Sequence, residues 1–382
     1  MSKSSATAKK IKIKEWKQRK ETNMKIEIGN FILIPTKNQS REDWLNERSL
    51  AVGGSDMGVL FNQNEYNSVT KLFYEKLGII PPSDLSENAS CHYGNAFEDV
   101  VLRDSQYLEI NGEKNNHIKN LYEGNKKASH VHFPYMIINK KYPHITCNVD
   151  GLKFKDKSIT EEDLIHMVEV EGRMPIPEAI IECKTMKTAA RDKWVDGMAP
   201  TYPWQVKTYC LPFLELNPKI YGEIYILCYD LSMLGYRIDI NKKDEKKISI
   251  ASNKFHKLIE KGEKIIDKAK IENKDDEEII HLLSKIHPET TSSSPSLGSF
   301  LSDYFLRKEY IRENETITGN DMDVDKGLRS RDINKQIKDL NTEKTEISNY
   351  FKNKLVKTST KIIDCNARGK ISYLKRLNIN IK

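Results

Sequence analysis

The run Ala179, Ile180, Ile181, Glu182, Cys183, Lys184 constrains the fold of this chain more than any other stretch. Four of these residues suit a strand buried in a core, yet Glu182 and Lys184 interrupt it with opposite charges. Side chains along a strand alternate with period two, so both charges share one face. A charge left alone in such a place costs roughly several kcal/mol in lost hydration. A divalent cation removes that penalty for the carboxylate, and hard cations such as Mg²⁺ take carboxylate and carbonyl oxygens. A second acid is then needed nearby, and the segment ITCNVDGLKF supplies Asp150. Asp150 is expected to end a strand at a tight turn, from which its carboxylate projects over the sheet end. The plain alternative for Glu182 and Lys184 is an ion pair at a strand edge.

Capping and periodicity place the elements around this strand. Ser40 and Asp43 have capping-box spacing, so a helix starts near residue 41. GGSDMGVLF reads as a glycine turn feeding a short helix. Ser68 and Gly78 bracket a third helix, with Val69, Leu72, Phe73 and Leu77 at helical spacing. A longer helix is predicted over 92–110, stopped by Asn111-Gly112. Short β-favouring runs follow: HVHFPYMII, ITCNV, LKF and AIIEC. Asp150-Gly151 reads as a hairpin turn between two of them. A helix over 202–215, the strands EIYILCY and GYRIDI, and a Lys- and Glu-rich helix over 249–287 complete a core of helices around a mixed sheet. PETTSSSPS breaks the chain at 288–296, a charged helix is predicted over 330–358, and GKISYL reads as one closing strand.

Asp150, then Glu182-x-Lys184 on the next core strand, is the signature of the PD-(D/E)XK nuclease fold. Three further pieces make the chain resemble the phage lambda-type exonucleases and YqaJ-like viral recombination nucleases. RSLAVGGSDMGVLF places Arg48 seven residues before Ser55 in a Gly-Gly-Ser-Asp turn. YGNAFEDVV contains a G-N-x-x-E helix ending in Glu98, and PTYPWQVKTYCLPF a P-x-Y-x-x-Q helix ending in Gln205. Trp194 sits where the family often has one. The resemblance implies an α/β (α+β) restriction-endonuclease-like PD-(D/E)XK core over 26–290, a central mixed β-sheet flanked by helices, and a C-terminal helical extension over 297–382. It implies a metal site of Glu98, Asp150, Glu182 and the backbone carbonyl of Cys183, holding one or two Mg²⁺ or Mn²⁺ ions. Lys184 would orient or deprotonate the attacking water, or steady charge on the phosphate. Gln205 would position Lys184, water or substrate. Arg48 and Ser55 would form a pocket for a terminal 5′ phosphate.

The activity so implied is metal-dependent 5′-to-3′ exonucleolytic resection of linear duplex DNA, leaving 3′ single strands for recombination or repair. Two rivals use the same residues differently: a structure-selective endonuclease or resolvase on this fold, and a non-catalytic DNA-binding recombination scaffold. The implied partners are double-stranded DNA ends, a single-strand annealing protein and further copies of the chain in a ring. The net charge of +7 does not itself argue for DNA. Residues 1–25 hold nine Lys or Arg against Glu15 and Glu21, so this basic, flexible arm carries the whole excess. The six cysteines show no C-x-x-C pair, which argues against a disulfide scaffold or structural zinc. They are expected to be reduced thiols of an intracellular, cytoplasmic viral or phage protein, with the nucleus of a host also open. No apolar run reaches membrane-span length, and the charged N-terminus has no apolar core behind it, so it is not expected to be a secretory signal. His130, His132 and His144 read as exposed polar alternation, and Lys-rich 242–271 as a solvated helix face. The acidic insert at 155–175 is expected to be a loop over the site or an extension of the hairpin, with Glu169 and Glu171 as rival acids.

Overall fold

A computed structural model describes residues 25–37, 39–49, 51–64, 66–80, 88–110, 116–186, 198–288, 321–357, 362–364, 369–373 and 377–381. The basic arm, apart from Lys25, and Trp194 lie outside the described residues, as do Asn111-Gly112 and most of the 288–296 breaker. The chain divides into two compact units, Met1–Ile311 and Arg312–Lys382.

In the first unit the strands β1 (Ile26–Ile28) and β2 (Phe31–Pro35) lead into α1 (Arg41–Ser49), the two-residue β3 (Val52–Gly53), α2 (Gly54–Leu60) and α3 (Val69–Lys76). Ser68 caps α3 by accepting the Lys71 N–H at 3.2 Å, and Gly78 ends it at φ +67°. α4 (Ala89–Ser105) starts three residues before the predicted 92–110, because the Asn88 side chain accepts the N–H groups of Ser90 and Cys91. It also stops earlier, where Ser105 Oγ folds back on the Leu102 carbonyl and lies 2.7 Å from His130 Nδ1. α5 (Asn116–Tyr122) follows.

The strand segment departs from its reading in two places. HVHFPYMII is two strands, β4 (Ser129–Val131) and β5 (Tyr135–Asn139), separated at Pro134 and assigned to different sheets. Asp150-Gly151 does not close a hairpin. β6 (Ile145–Thr146) pairs parallel with β3, while β7 (Gly151–Phe154) pairs antiparallel with β4 and with β8 (Ala179–Met186). Gly151 is there for close approach, since a Cβ would stand 2.6 Å from Leu102 Cδ1 of α4. Asp150 therefore precedes a strand instead of ending one. The insert between β7 and β8 folds as a helix, α6 (Glu161–Glu169), capped reciprocally by Thr160 and Asp163 and burying Leu164 and Val168.

The remaining helices and strands of this unit are α7 (Thr201–Cys210), β9 (Tyr221–Cys228), β10 (Met233–Asp239), α8 (Lys242–Ile271) and α9 (Asp276–Ser284). Residues 211–215 tighten into a 3₁₀ turn at Pro212. The expected single helix over 249–287 is two helices. Asn241 and Asp244 cap α8 seven residues earlier than predicted, and Asn273 at φ +54° stops it.

The central sheet has the order β10-β9-β8-β7-β4, with β8 and β9 parallel and the other pairs antiparallel. A second sheet, β1-β2-β5, is antiparallel throughout. Helices cover both faces of the central sheet. Val101 and Leu102 of α4 bury Ile181, Cys183 and Tyr225 on one side. Val206 of α7 packs on Ile224 and Ile226 on the other. Gly222 admits that helix, since a Cβ there would fall 1.9 Å from Val206 Cγ1. β8 thus runs through the middle of the central sheet between two helical layers, and a polar side chain at one of its buried positions is expected to be paired within the protein.

In the second unit α10 (Asp321–Lys357) precedes β11 (Ile362–Asp364), β12 (Gly369–Tyr373) and β13 (Leu377–Ile381), a three-stranded antiparallel sheet. The helical extension therefore carries a sheet where one strand was expected; Leu377-Asn-Ile-Asn-Ile381 has the period-two alternation that marks it. Among the described residues no helix is long and apolar enough to cross a membrane.

Candidate active site

Glu182 enters the α7 side of the sheet from mid-β8 and is 1% exposed. Its Oε1 accepts hydrogen bonds from Lys184 Nζ and from Gln205 Nε2 of α7. Its Oε2 is buried and has no partner. Asp150, just before β7, lies across the antiparallel ladder, and its Oδ2 accepts the Cys183 N–H at 2.7 Å. Lys184 Nζ also lies 5.7 Å from the centroid of the Tyr202 ring. Glu98 reaches the same place from α4 and feels the charges of Asp150 and Lys184. The structure thus brings Glu98, Asp150, Glu182, Lys184 and Gln205 together, although they are spread over more than a hundred positions of chain.

Three acids in one pocket, Glu182 buried and Glu98 and Asp150 part-buried, do not ionise freely. Burial, then the Asp150 charge, pushes Glu182 up to about 8, against the pull of Lys184. Burial and then Asp150 push Glu98 up to about 7. Asp150 is raised by burial despite Lys184 and the Cys183 N–H. For Lys184, burial would lower the pKa, but the carboxylates of Glu182 and Asp150 outweigh it and hold the amine protonated.

The fold family implies a divalent cation. Among the described residues no three His, Cys, Asp or Glu side chains stand close enough together to grip an ion as they are oriented. Glu182 Oε1 is turned to Lys184 and Gln205, and Asp150 Oδ2 to a backbone N–H. The donor chemistry nevertheless fits a hard cation: carboxylates only, mutually repelling, with one buried oxygen of Glu182 unpartnered. A pH dependence follows. Glu98 and Glu182 have native pKa values above the ordinary 4.5, so the native state holds protons there that the unfolded chain has released. Their contribution to stability is present below the ordinary value and is lost as pH rises toward about 8. A cation that bound the deprotonated acids would reverse that loss. Millimolar Mg²⁺ is expected to raise the melting temperature by about 3 °C near pH 8 and by less than about 1 °C near pH 5.5. Thermal unfolding by fluorescence measures this, and equal shifts at both pH values contradict it.

A second cluster lies at the start of α2. Arg48 Nη2 donates to Ser55 Oγ and stands 3.7 Å from Asp56 Oδ1, and its guanidinium covers the Trp44 ring at 4.9 Å. Ser55 is not the helix cap: Gly53 holds that position, and its N–H is taken by Asp56 Oδ2 at 2.9 Å. Asp56 also binds Lys76 Nζ at 2.7 Å, and Lys76 donates to the carbonyls of Arg48 and Ala51. Burial would raise Asp56, but the charges of Lys76 and Arg48 bring it below its usual value. Gly54 sets α2 so close to α7 that a Cβ there would fall 2.1 Å from Tyr209 Cε1. Tyr209 in turn accepts Gln205 Nε2 at 3.3 Å, so one ring connects the Arg48 cluster to the Glu182 pocket.

Lys76 and Tyr209 were not among the residues singled out from sequence. Lys76 could have been, because it continues the Val69, Leu72, Phe73 stripe, where a lysine must be paired. Tyr209 lies one turn from Gln205 and signals itself only through that spacing. The histidines disperse. His130 is buried beside Ser105, His132 lies 3.2 Å from Glu161, and His144 stacks on His256. The rival acids are engaged elsewhere: Glu169 accepts from Tyr135 Oη at 2.8 Å, and Glu171 pairs with Arg173 and His166. The five described cysteines are free thiols.

A mixed sheet with an acid leading into one strand and Glu-x-Lys in the middle of its neighbour defines the restriction-endonuclease-like PD-(D/E)XK class. Residues 43–211 match the YqaJ-like viral recombinase domain. The chain is also similar to the uncharacterized protein YqaJ of Bacillus subtilis (strain 168), 25% identical over 335 residues, which are 85% of this chain and 81% of that protein. Among solved structures it is similar to an alkaline exonuclease from Laribacter hongkongensis, with a TM-score of 0.41, 12% identity, and 60% of this chain and 98% of that chain covered. A phage-related exonuclease from Haemophilus somnus 129PT gives 0.34, 13%, 57% and 99% for the same quantities.

Proposed function

We propose that this chain is a divalent-metal-dependent exonuclease that resects linear double-stranded DNA 5′ to 3′ from a phosphorylated end, leaving 3′ single strands for recombination or repair. The observation that carries the reading is Glu182: a carboxylate buried in the central strand with one oxygen unpartnered, beside Lys184 and Asp150. A structural ion pair leaves no reason to bury a second and third acid against the first. Glu98, Asp150, Glu182 and the Cys183 carbonyl oxygen hold the ion, Mg²⁺ or Mn²⁺. When bound it neutralises the acids and supplies Lewis-acid polarisation of the scissile phosphate.

The chain's own residues do the rest. Lys184, kept protonated by its acidic neighbours, donates to the attacking water and offsets the charge that grows on the phosphate oxygens. Gln205 fixes Glu182 Oε1, and Tyr209 holds Gln205 from behind. Arg48 and Ser55 take the terminal 5′ phosphate, the guanidinium gripping two oxygens and the hydroxyl donating to a third. Asp56 and Lys76 hold that pair in place. Double-stranded DNA ends are the substrate. A single-strand annealing protein is the partner that would use the product, and a ring of copies is the assembly that would retain the duplex.

Arg48→Ala is expected to slow degradation of a 5′-phosphorylated linear duplex by about tenfold or more and to erase its advantage over a 5′-hydroxyl duplex. Covalently closed circular plasmid is expected to stay intact with either protein. An unchanged rate with Arg48→Ala removes the end-gripping role, and cutting of the circle turns the reading toward an endonuclease.

A further inference from the structure

The N-terminal half of α4 shows a feature that the chemistry above does not use. Tyr93 is 50% exposed and Phe97 is 38% exposed, although both rings belong to the helix that delivers Glu98. They lie one turn apart and stack on each other, with centroids 6.2 Å apart and planes 23° from parallel. His92 meets Tyr93 edge-on at 5.3 Å. The apolar contacts of α4 with the sheet are made further along, by Val101 and Leu102. The core therefore does not require these rings, and their exposure leaves two aromatic faces in water.

Their position beside the site is fixed by the backbone. Gly94 lies between them in sequence, and a Cβ added there would stand 3.5 Å from Thr185 Oγ1, the residue after Lys184. Phe97 directly precedes Glu98 and lies about 100° round α4 from it, on a flank of the acid-bearing face. On the nuclease reading, a base attached to a phosphodiester held at Glu98, Asp150 and Glu182 would come within reach of this flank of α4. Every base has a flat π face, so aromatic platforms hold single strands with little regard to sequence. A base still paired and stacked in a duplex has no free face to offer.

We propose that Tyr93 and Phe97 form a stacking platform for an unpaired nucleobase next to the scissile phosphate. This rests on the nuclease reading and extends it. The platform holds the terminal nucleotide out of the duplex, so that its phosphodiester reaches the acids. It makes the enzyme tolerant of sequence and favours ends that fray.

The test uses the full chain and linear 5′-phosphorylated duplexes with 2-aminopurine at the 5′-terminal nucleotide. Binding is measured in Ca²⁺ and cleavage in Mg²⁺, for the wild type, Tyr93→Ala with Phe97→Ala, and Tyr93→Trp. The wild type is expected to change the probe's emission as the base leaves the duplex and stacks. The double alanine variant is expected to lose that change, bind about tenfold more weakly and lose its preference for a mismatched over a paired end. Tyr93→Trp is expected to keep all three. Circular dichroism melting of each variant separates loss of fold from loss of platform. If the wild type cuts DNA and the folded double variant matches it in affinity, emission and end preference, the platform is wrong while the nuclease reading stands. If the wild type neither binds nor cuts DNA, both are wrong.

Discussion

Replacing Glu182 by Gln is expected to lower the rate of DNA hydrolysis by at least about a thousandfold while DNA binding is retained. A factor of that size corresponds to about 4 kcal/mol of lost transition-state stabilisation. The substitution keeps the size of the side chain and an oxygen that can still accept from Lys184 and Gln205. It removes the negative charge and the second carboxylate oxygen, the one without a partner in the structure. Those are the properties a hard cation needs, whereas a merely structural polar residue would survive the change. Initial rates on end-labelled duplex, paired with gel-shift titration, check it. Wild-type rates with Glu182→Gln would show that the chemistry lies elsewhere.

Lys184→Met should have the second largest effect, with two signatures that separate catalysis from folding. Cleavage is expected to fall by about a hundredfold or more, because no ammonium remains to meet the charge developing on the phosphate. The Michaelis constant for DNA should change little, since Arg48 and Ser55, the proposed end-binding pair, are untouched. In the absence of metal the variant also leaves Glu182 buried without its cationic neighbour, which costs up to about 3 kcal/mol. That cost should be felt near pH 8 and shrink at acid pH, where Glu182, already raised to about 8, takes up a proton. Saturating Mn²⁺ should restore the melting temperature but not the rate. Recovery of both would make Lys184 a structural counter-ion only, and recovery of neither would point to a misfolded variant.

The sequence carried the local chemistry of this site better than its connections. Glu182 and Lys184 stand out because a strand buried on both faces should not contain them, and period two puts them together. Asp150 was reached as the second acid that a cation would need, and Glu98, Gln205, Arg48 and Ser55 through motif resemblance; the structure gathers Asp150, Glu98 and Gln205 beside Glu182 and Lys184. What misled was glycine and proline chemistry read without a partner in view. Gly151 looked like a hairpin turn but makes room for Leu102. Pro134 lay inside a β-favouring run that the fold divides between two sheets. Asn273 looked like any polar helix residue, yet its left-handed backbone ends α8. Lys76 and Tyr209 were passed over for a related reason: the Lys76–Asp56 pair and the Gly54–Tyr209 contact exist only because α2 packs on α3 and α7.

On the proposed reading, the acids of three separate segments and one amine would act as a single metal-loaded centre on DNA. Incubating the wild-type chain with 5′-phosphorylated linear duplex labelled at its 3′ ends, with Mg²⁺ and again with chelator, asks this directly. The account predicts progressive loss of the 5′ strands with the labelled 3′ ends surviving as single strands, and no reaction once the metal is removed. Intact duplex in Mg²⁺ and in Mn²⁺, or equal degradation in chelator, would contradict it.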